Sequence, residues 1–520
     1  MKICTMESKK VTLKLVFIKM YNKGIKKNTI NNIAERWRRM KQIYNPYLPL
    51  DEYVPDGEPH LFDGRVYIYG SHDLAGGEAY CLGDYVTWSA PEDDLTNWRY
   101  EGVIYRKDQD PSNKEMNREI WAPDVAKGTD GKYYLFYCLA FYPEIGVAVS
   151  DSPAGPFEFY GHIHYPENLK NGKTLTEYLP FDPAVLVDDD GRVYLYYGFS
   201  PAVPLKKEGS DGEIEGACEL EFSKGAMVAE LESDMLTLKE EPHVMIPGGQ
   251  YENGTSFEGH GFFEASSIRK VGKKYYFVYS SKVSHELCYA VSDKPDQEFI
   301  FGGTLISNGD IGYEGNQEPH NMMGNNHGGM IEVKGQWYIF YHRQTHGTES
   351  SRQGCAEKIS IREDGSIGQV EMTSCGLNNG WLKDEGTYPA AIACNLIGKE
   401  SVGKITYGAS LRDTQPYIYE EKTDLHYIAN ISDGVIVGYK YFYINKLSTV
   451  TLSLKGKAKG EIRVYADFAG ENELGKCNVD LDGSKWNTLT IPVKADPGKT
   501  GLFFKFAIDG IVKFKEFILN

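Results

Sequence analysis

An aromatic-rich run recurs five times in this chain and limits what the chain can fold into. The copies are DGRVYIYG (63–70), DGKYYLFY (130–137), DGRVYLYY (190–197), GKKYYFVY (272–279) and KGQWYIFY (334–341). Their alignable tyrosines, Tyr67, Tyr134, Tyr194, Tyr276 and Tyr338, are 67, 60, 82 and 62 residues apart. Each copy opens on turn residues and continues in β-branched and aromatic ones, which suit a pleated, half-buried surface better than a helix. One strand repeated at this period predicts an array of like supersecondary units.

Roughly 66 residues per unit hold four short antiparallel strands, the content of a propeller blade. A second echo supports the blade: VTWSAPEDDL (86–95), VAVSDSPAGPF (147–157), AELESDMLTL (229–238) and YAVSDKPDQEF (289–299) read as a later strand that ends in a turn. A large irregular sandwich is the competing arrangement, but it does not require such regular repetition. Turn residues cluster over 376–390, and beyond them alternating apolar runs are separated by Gly, Asp and Asn, as in a β-sandwich. The expected fold is all-β: a five-bladed β-propeller over 40–380, then a sandwich over 381–520.

Charge divides the chain unevenly. Residues 1–39 carry 11 Lys and Arg against Glu7 and Glu35, leaving 45 basic and 71 acidic residues in the remainder. An acidic body speaks against nucleic acid or an anionic membrane as partner and suits a neutral ligand such as sugar. The basic leader is expected to be a disordered extension; its longest apolar stretch is broken by Lys14, unlike the core of a secretory signal. Nine scattered cysteines with no CxxC pair fit a reducing compartment, so a cytoplasmic location is expected. No run is apolar enough for a membrane helix, and the oligomeric state is not legible.

Ten to twelve residues before each repeated tyrosine stands one polar residue: Asp56, Asp124, Asp182, Glu264 and His327. The spacing places each at the strand before the repeated one. The first strand of a propeller blade lines the central channel, so five blades would deliver these groups to one funnel. Glycoside hydrolysis needs such convergence, with one carboxylic acid to protonate the leaving oxygen and a carboxylate to act as base or nucleophile. A third carboxylate would help keep the acid protonated. Any one of these residues alone reads equally well as a turn, cap or solvated group. His327, among Asn325, Asn326, Gly328 and Gly329, is either a hydrogen-bonded structural residue or a contact for an ion or water cluster.

In NPYLPLDEYVPDGEPHLF, WAPDV, FDPAVLVDDDGRVYLYYG and FFEASSIRKVGKKYYFVYSS the chain resembles glycoside hydrolase family 43, across about 330 residues. The resemblance implies a five-bladed propeller hydrolysing β-D-xylosides or α-L-arabinofuranosides with inversion. It implies Asp56 as general base, Glu264 as general acid and Asp182 as the residue that tunes and orients the acid. His327 would contact one channel ion, calcium for example, largely through waters, with no organic cofactor. Asp124 is expected on the substrate side with Arg352, while Trp121, Phe181 and Phe263 either stack on a sugar ring or pack the core. General-acid strands of the family often read Glu-Gly-Pro, whereas Ala265 and Ser266 follow Glu264 here. The C-terminal region resembles a family 6 carbohydrate-binding module. A non-catalytic glycan-binding propeller and a related carbohydrase acting on fructans are the rival readings.

Overall fold

A computed structural model describes residues 42–77, 79–175, 178–202, 221–400, 410–483 and 485–520. The basic extension expected over 1–39 lies outside the described residues. Residues 44–520 form one compact unit.

Five antiparallel sheets follow one another in chain order. Blade one contains β1 to β4 (Glu58–Phe62, Arg65–Tyr69, Tyr85–Pro91, Arg99–Tyr105), and blade two β5 to β8 (Ile120–Lys127, Tyr133–Leu139, Ile145–Ser150, Glu158–His162). Blade three contains β9 to β12 (Ala184–Val187, Val193–Tyr197, Gly225–Leu231, His243–Pro247). Blade four contains β13 to β16 (Phe262–Val271, Lys274–Ser281, Glu286–Ser292, Ile300–Ser307), and blade five β17 to β19 (Met330–Val333, Gln336–Gln344, Arg352–Ile359). The five repeated runs are the second strands. In blades one and five a two-residue turn precedes them, Asp63-Gly64 and Lys334-Gly335, with all four residues at positive φ. Such turns match the twist of the flanking strands.

Alternation along the second strands ties the blades together, because successive side chains point to opposite faces. Tyr67 and Tyr69 of blade one share a core with Tyr133, Leu135 and Tyr137 of blade two. The other face of that strand, Tyr134 and Phe136, joins Val193, Leu195 and Tyr197. Tyr194 and Tyr196 meet Tyr275, Phe277 and Tyr279, and Tyr276 and Val278 meet Ile339 and Tyr341. The ring closes where Gly57, ahead of β1, bridges Gly328, ahead of β17. The chain before β1 also lies along the three-stranded blade five: Tyr47 N–H donates to Gly354 O at 3.1 Å and Ala356 N–H to Asn45 Oδ1 at 2.9 Å.

The C-terminal region is a sandwich made by two long strands, Thr449–Tyr465 and Gly498–Leu519, paired over most of their length. Phe504 and Phe514 are ten residues apart in one strand, about 33 Å if straight, yet their ring centroids are 5.8 Å apart. The pair of strands therefore turns over on itself and buries both halves in one core. At the turn a side chain on Gly510 would lie 2.1 Å from Lys457 O, so glycine is required there. Of the aromatic residues in the module-like stretch, Tyr439 is buried, Tyr441 lies under Lys499 Nζ at 3.7 Å and Trp486 packs edge-on to Tyr427 at 5.7 Å.

Two polar seams join the sandwich to the propeller. Lys440 Nζ pairs with Asp310 at 2.8 Å and Glu371 at 3.1 Å, both propeller residues. Tyr53 donates its hydroxyl to Glu420 Oε2 at 2.7 Å, and Arg412 Nε donates to His346 O at 2.8 Å. Tyr53 stands three residues before Asp56.

Candidate active site

The channel residues stand where the first strand of each blade begins. Asp56, Asp182 and His327 lie just ahead of β1, β9 and β17, while Asp124 and Glu264 lie within β5 and β13. The backbone is strained there: Asp56 has φ 55°, Asp182 48°, Ala265 70° and Ala122 29°. Each such non-glycine residue costs on the order of 1–2 kcal/mol. Ala265 therefore holds a conformation glycine adopts more easily. The pairing register also breaks at Trp121/Asp124 and on both sides of Glu264, bulges that re-aim a side chain.

Asp56 is buried and gripped. Arg352 Nη1 donates to its Oδ1 at 2.9 Å, and the same guanidinium pairs with Asp73 through Nε at 2.9 Å and Nη2 at 3.0 Å. The His342 Nε2–H donates to Asn325 O at 2.9 Å, so Nδ1 carries the lone pair that accepts the Asp56 amide at 3.2 Å. Burial is the largest single influence and pushes the Asp56 carboxyl up, but Arg352 together with His342 and His327 outweighs it and holds the group well below the usual carboxylate range.

Asp182 behaves in the opposite sense. Its Oδ2 accepts the Ala265 amide at 3.0 Å, gripping the peptide that follows Glu264. Burial first, then the charges of Glu264 and Asp56, push it well up. His327 stands between the two aspartates, with Nδ1 3.5 Å from Asp182 Oδ2 and 3.9 Å from Asp56 Oδ1. Burial outweighs their charge and pushes the imidazole down to about 4, and its buried Nε2 has no hydrogen-bond partner.

Two expected substrate contacts take other positions. Asp124 is fully buried; Oδ1 lies 2.6 Å from His60 Nε2 and accepts the Val125 amide, and Oδ2 accepts the Val185 amide at 2.8 Å. Those bonds link blades one, two and three and occupy both oxygens, so Asp124 is a joint between blades. Arg352 is likewise committed to Asp56 and Asp73, with its guanidinium 4.5 Å from the Tyr80 ring centroid. The three expected aromatics do come together: Trp121 meets Phe181 at 5.2 Å, Phe181 meets Phe199 at 4.7 Å, and Phe199 meets Phe263 at 5.2 Å. Trp121, Phe181 and Phe263 are half-buried, forming an apolar wall beside the acids.

Asp73, His342, Tyr80 and Phe199 belong to no repeat of the sequence. His342 follows the fifth aromatic run directly, which is the one signal that pointed to it.

Comparison with known proteins places the chain in a family. The model of glycosyl hydrolases family 43 matches residues 63–367. A xylosidase/arabinosidase of Thermoclostridium stercorarium is 47% identical over 92% of this chain and 99% of its own length. A xylosidase/arabinosidase of Bacteroides ovatus is 33% identical over 57% of this chain and 87% of its own. The crystal structure of a GH43_1 enzyme from Xanthomonas citri superposes with a TM-score of 0.50, at 26% identity, covering 65% of this chain and 96% of that one. The chain belongs to glycosyl hydrolases family 43, and it is an O-glycosyl hydrolase. Among the described residues no helix is long and apolar enough to cross a membrane.

Proposed function

We propose that the protein releases terminal β-D-xylosyl and α-L-arabinofuranosyl residues from plant hemicellulose oligosaccharides, by single displacement with inversion. One observation carries this reading: Arg352 holds Asp56 ionised on one side of the channel, while Asp182, pushed up, grips the peptide next to Glu264 on another blade. A fixed base and an acid in a proton-retaining pair are the two halves of an inverting reaction.

In this reading Asp56 takes a proton from a water molecule as the water oxygen bonds to the anomeric carbon. The glycosidic C–O bond breaks on the opposite face, and Glu264 gives its proton to the departing oxygen. Asp182 orients Glu264 through the Ala265 amide. The wall of Trp121, Phe181 and Phe263 offers apolar ring faces to the sugar.

His327 fits the expected channel ion in one respect. Its imidazole is neutral at pH 7, and the carboxylates beside Nδ1 favour the tautomer that leaves the Nε2 lone pair free. A hard cation such as calcium prefers oxygen, so one imidazole would hold it with waters completing the shell. Such an ion would supply positive charge against three carboxylates.

A panel of nitrophenyl glycosides, with the first-formed anomer identified by NMR, tests the reading. Hydrolysis of the xyloside or arabinofuranoside with inversion is expected. Retention would overturn the single displacement; binding without turnover would favour the glycan-binding alternative, and selective action on fructans the third.

A further inference from the structure

Arg343 is among the largest fully buried side chains of the described residues, at 1% exposure. It follows His342 on β18, and alternation turns it away from the channel into the seam with the C-terminal domain. There Nη1 donates to Ala393 O at 3.1 Å and Nε to Cys355 Sγ at 3.3 Å. Neither partner is a carboxylate, and Nη2 has no partner at all.

A guanidinium carries five N–H donors and a charge that is never lost at ordinary pH. A buried cation without a counterion is costly, and a buried donor left unmet points to an unseen water or ion. Glu357 is close enough to feel the charge but is directed elsewhere. Its oxygens accept from Asn45 Nδ2 at 2.8 Å, Thr373 N at 2.7 Å and Thr373 Oγ1 at 2.8 Å. Tyr341 also donates its hydroxyl to Oε1 at 3.3 Å, so both oxygens are already taken up by donors other than Arg343. Arg343 lines a cavity together with Asn321, Gln344, Ala393, Leu396 and Ile418. Its free volume is about 10 Å³, room for a single small occupant.

We propose that this seam cavity binds one small monovalent anion of halide size, chloride in the first instance, held by the Arg343 guanidinium. A water would satisfy the donors but not the charge. The apolar Ala393, Leu396 and Ile418 on the C-terminal side disfavour a larger anion that keeps its hydration shell. Because the walls come from both the propeller and the C-terminal domain, the bound anion stabilises their docking.

Crystals of the full chain soaked in bromide test the site directly. An anomalous peak in the cavity at hydrogen-bond distance from the Arg343 guanidinium is expected; water density there with no anomalous signal overturns the proposal. In solution, the thermal midpoint of the full chain should rise with chloride and level off, relative to gluconate at equal ionic strength. Arg343→Met should remove that chloride-dependent shift. Equal midpoints of the wild-type chain in the two salts would refute the proposal, whether or not the variant folds.

Discussion

Arg352 and Asp56 meet at 2.9 Å across the closure of the propeller, the arginine on the last blade and the aspartate ahead of the first. With Asp56 as the proposed base, the bond fixes the direction of the pH dependence. A base is active when ionised, so activity falls as pH drops through its pKa, which here is held well below the usual range. Arg352→Met removes that hold while burial still pushes the carboxyl up. The acid limb of kcat/KM should therefore move to higher pH. Asp56→Asn should lower kcat by about 10²–10⁴ at every pH. An acid limb unmoved in Arg352→Met would separate the pair from catalysis.

Glu264 is read as proton donor to the leaving oxygen, and this role depends on the leaving group. Glu264→Gln should slow xylobiose by about 10²–10⁴ but slow an activated aryl xyloside far less, since a good leaving group departs without protonation. Equal losses on the two substrates would argue for a different role.

Asp310 and Lys440 give the seam its own pH dependence. Burial raises the aspartate, but Lys440 and His320 outweigh it and hold the folded-state value at about 2, against an ordinary 3.8. The pair's stabilisation is present above pH 4 and lost as pH falls toward 2. The shift corresponds to roughly 2 kcal/mol. Lys440→Met, which leaves Asp310 buried and unpaired, should destabilise the chain by about 3–5 kcal/mol. Urea titrations from pH 2 to pH 7 would measure both effects, and a variant as stable as the parent would show the seam to be incidental.

Asp124→Asn distinguishes a joint from a sugar contact. An amide nitrogen facing the Val185 N–H leaves donors opposed, so the melting transition should fall by an amount equivalent to about 1–3 kcal/mol, with KM little changed. A large rise in KM at unchanged stability would return Asp124 to the substrate.

Much of the blade frame was written in the sequence, because a second strand packed on both faces must be aromatic and branched along its whole length. Counting back from it located Asp56, Asp182 and Glu264. Tyr276 shows why face matters more than spacing: its hairpin begins with Gly272, one position earlier than the glycine of the other turns, yet Tyr276 still faces the next blade. Burial was not legible. Asp124 resembled the other channel residues until His60 and Val185, from two other blades, were seen to occupy its oxygens. No sequence signal marks Asp73, because what it holds in place is more than 200 residues distant in sequence, a relationship that only ring closure creates.

That closure also imposes an order in time. The Asn45 side chain donates to Ala356 O, 311 residues later in the chain. At about 5–20 residues per second of synthesis, roughly 15–60 s separate the two partners at the ribosome. Until then the nascent propeller is an open arc with an unsealed edge, the kind of surface that invites wrong pairing. The clasp between Asp56 and Arg352 forms only when the arc shuts, so in a partly made chain the proposed base is not held. Catalytic competence thus arrives with the last blade, all at once.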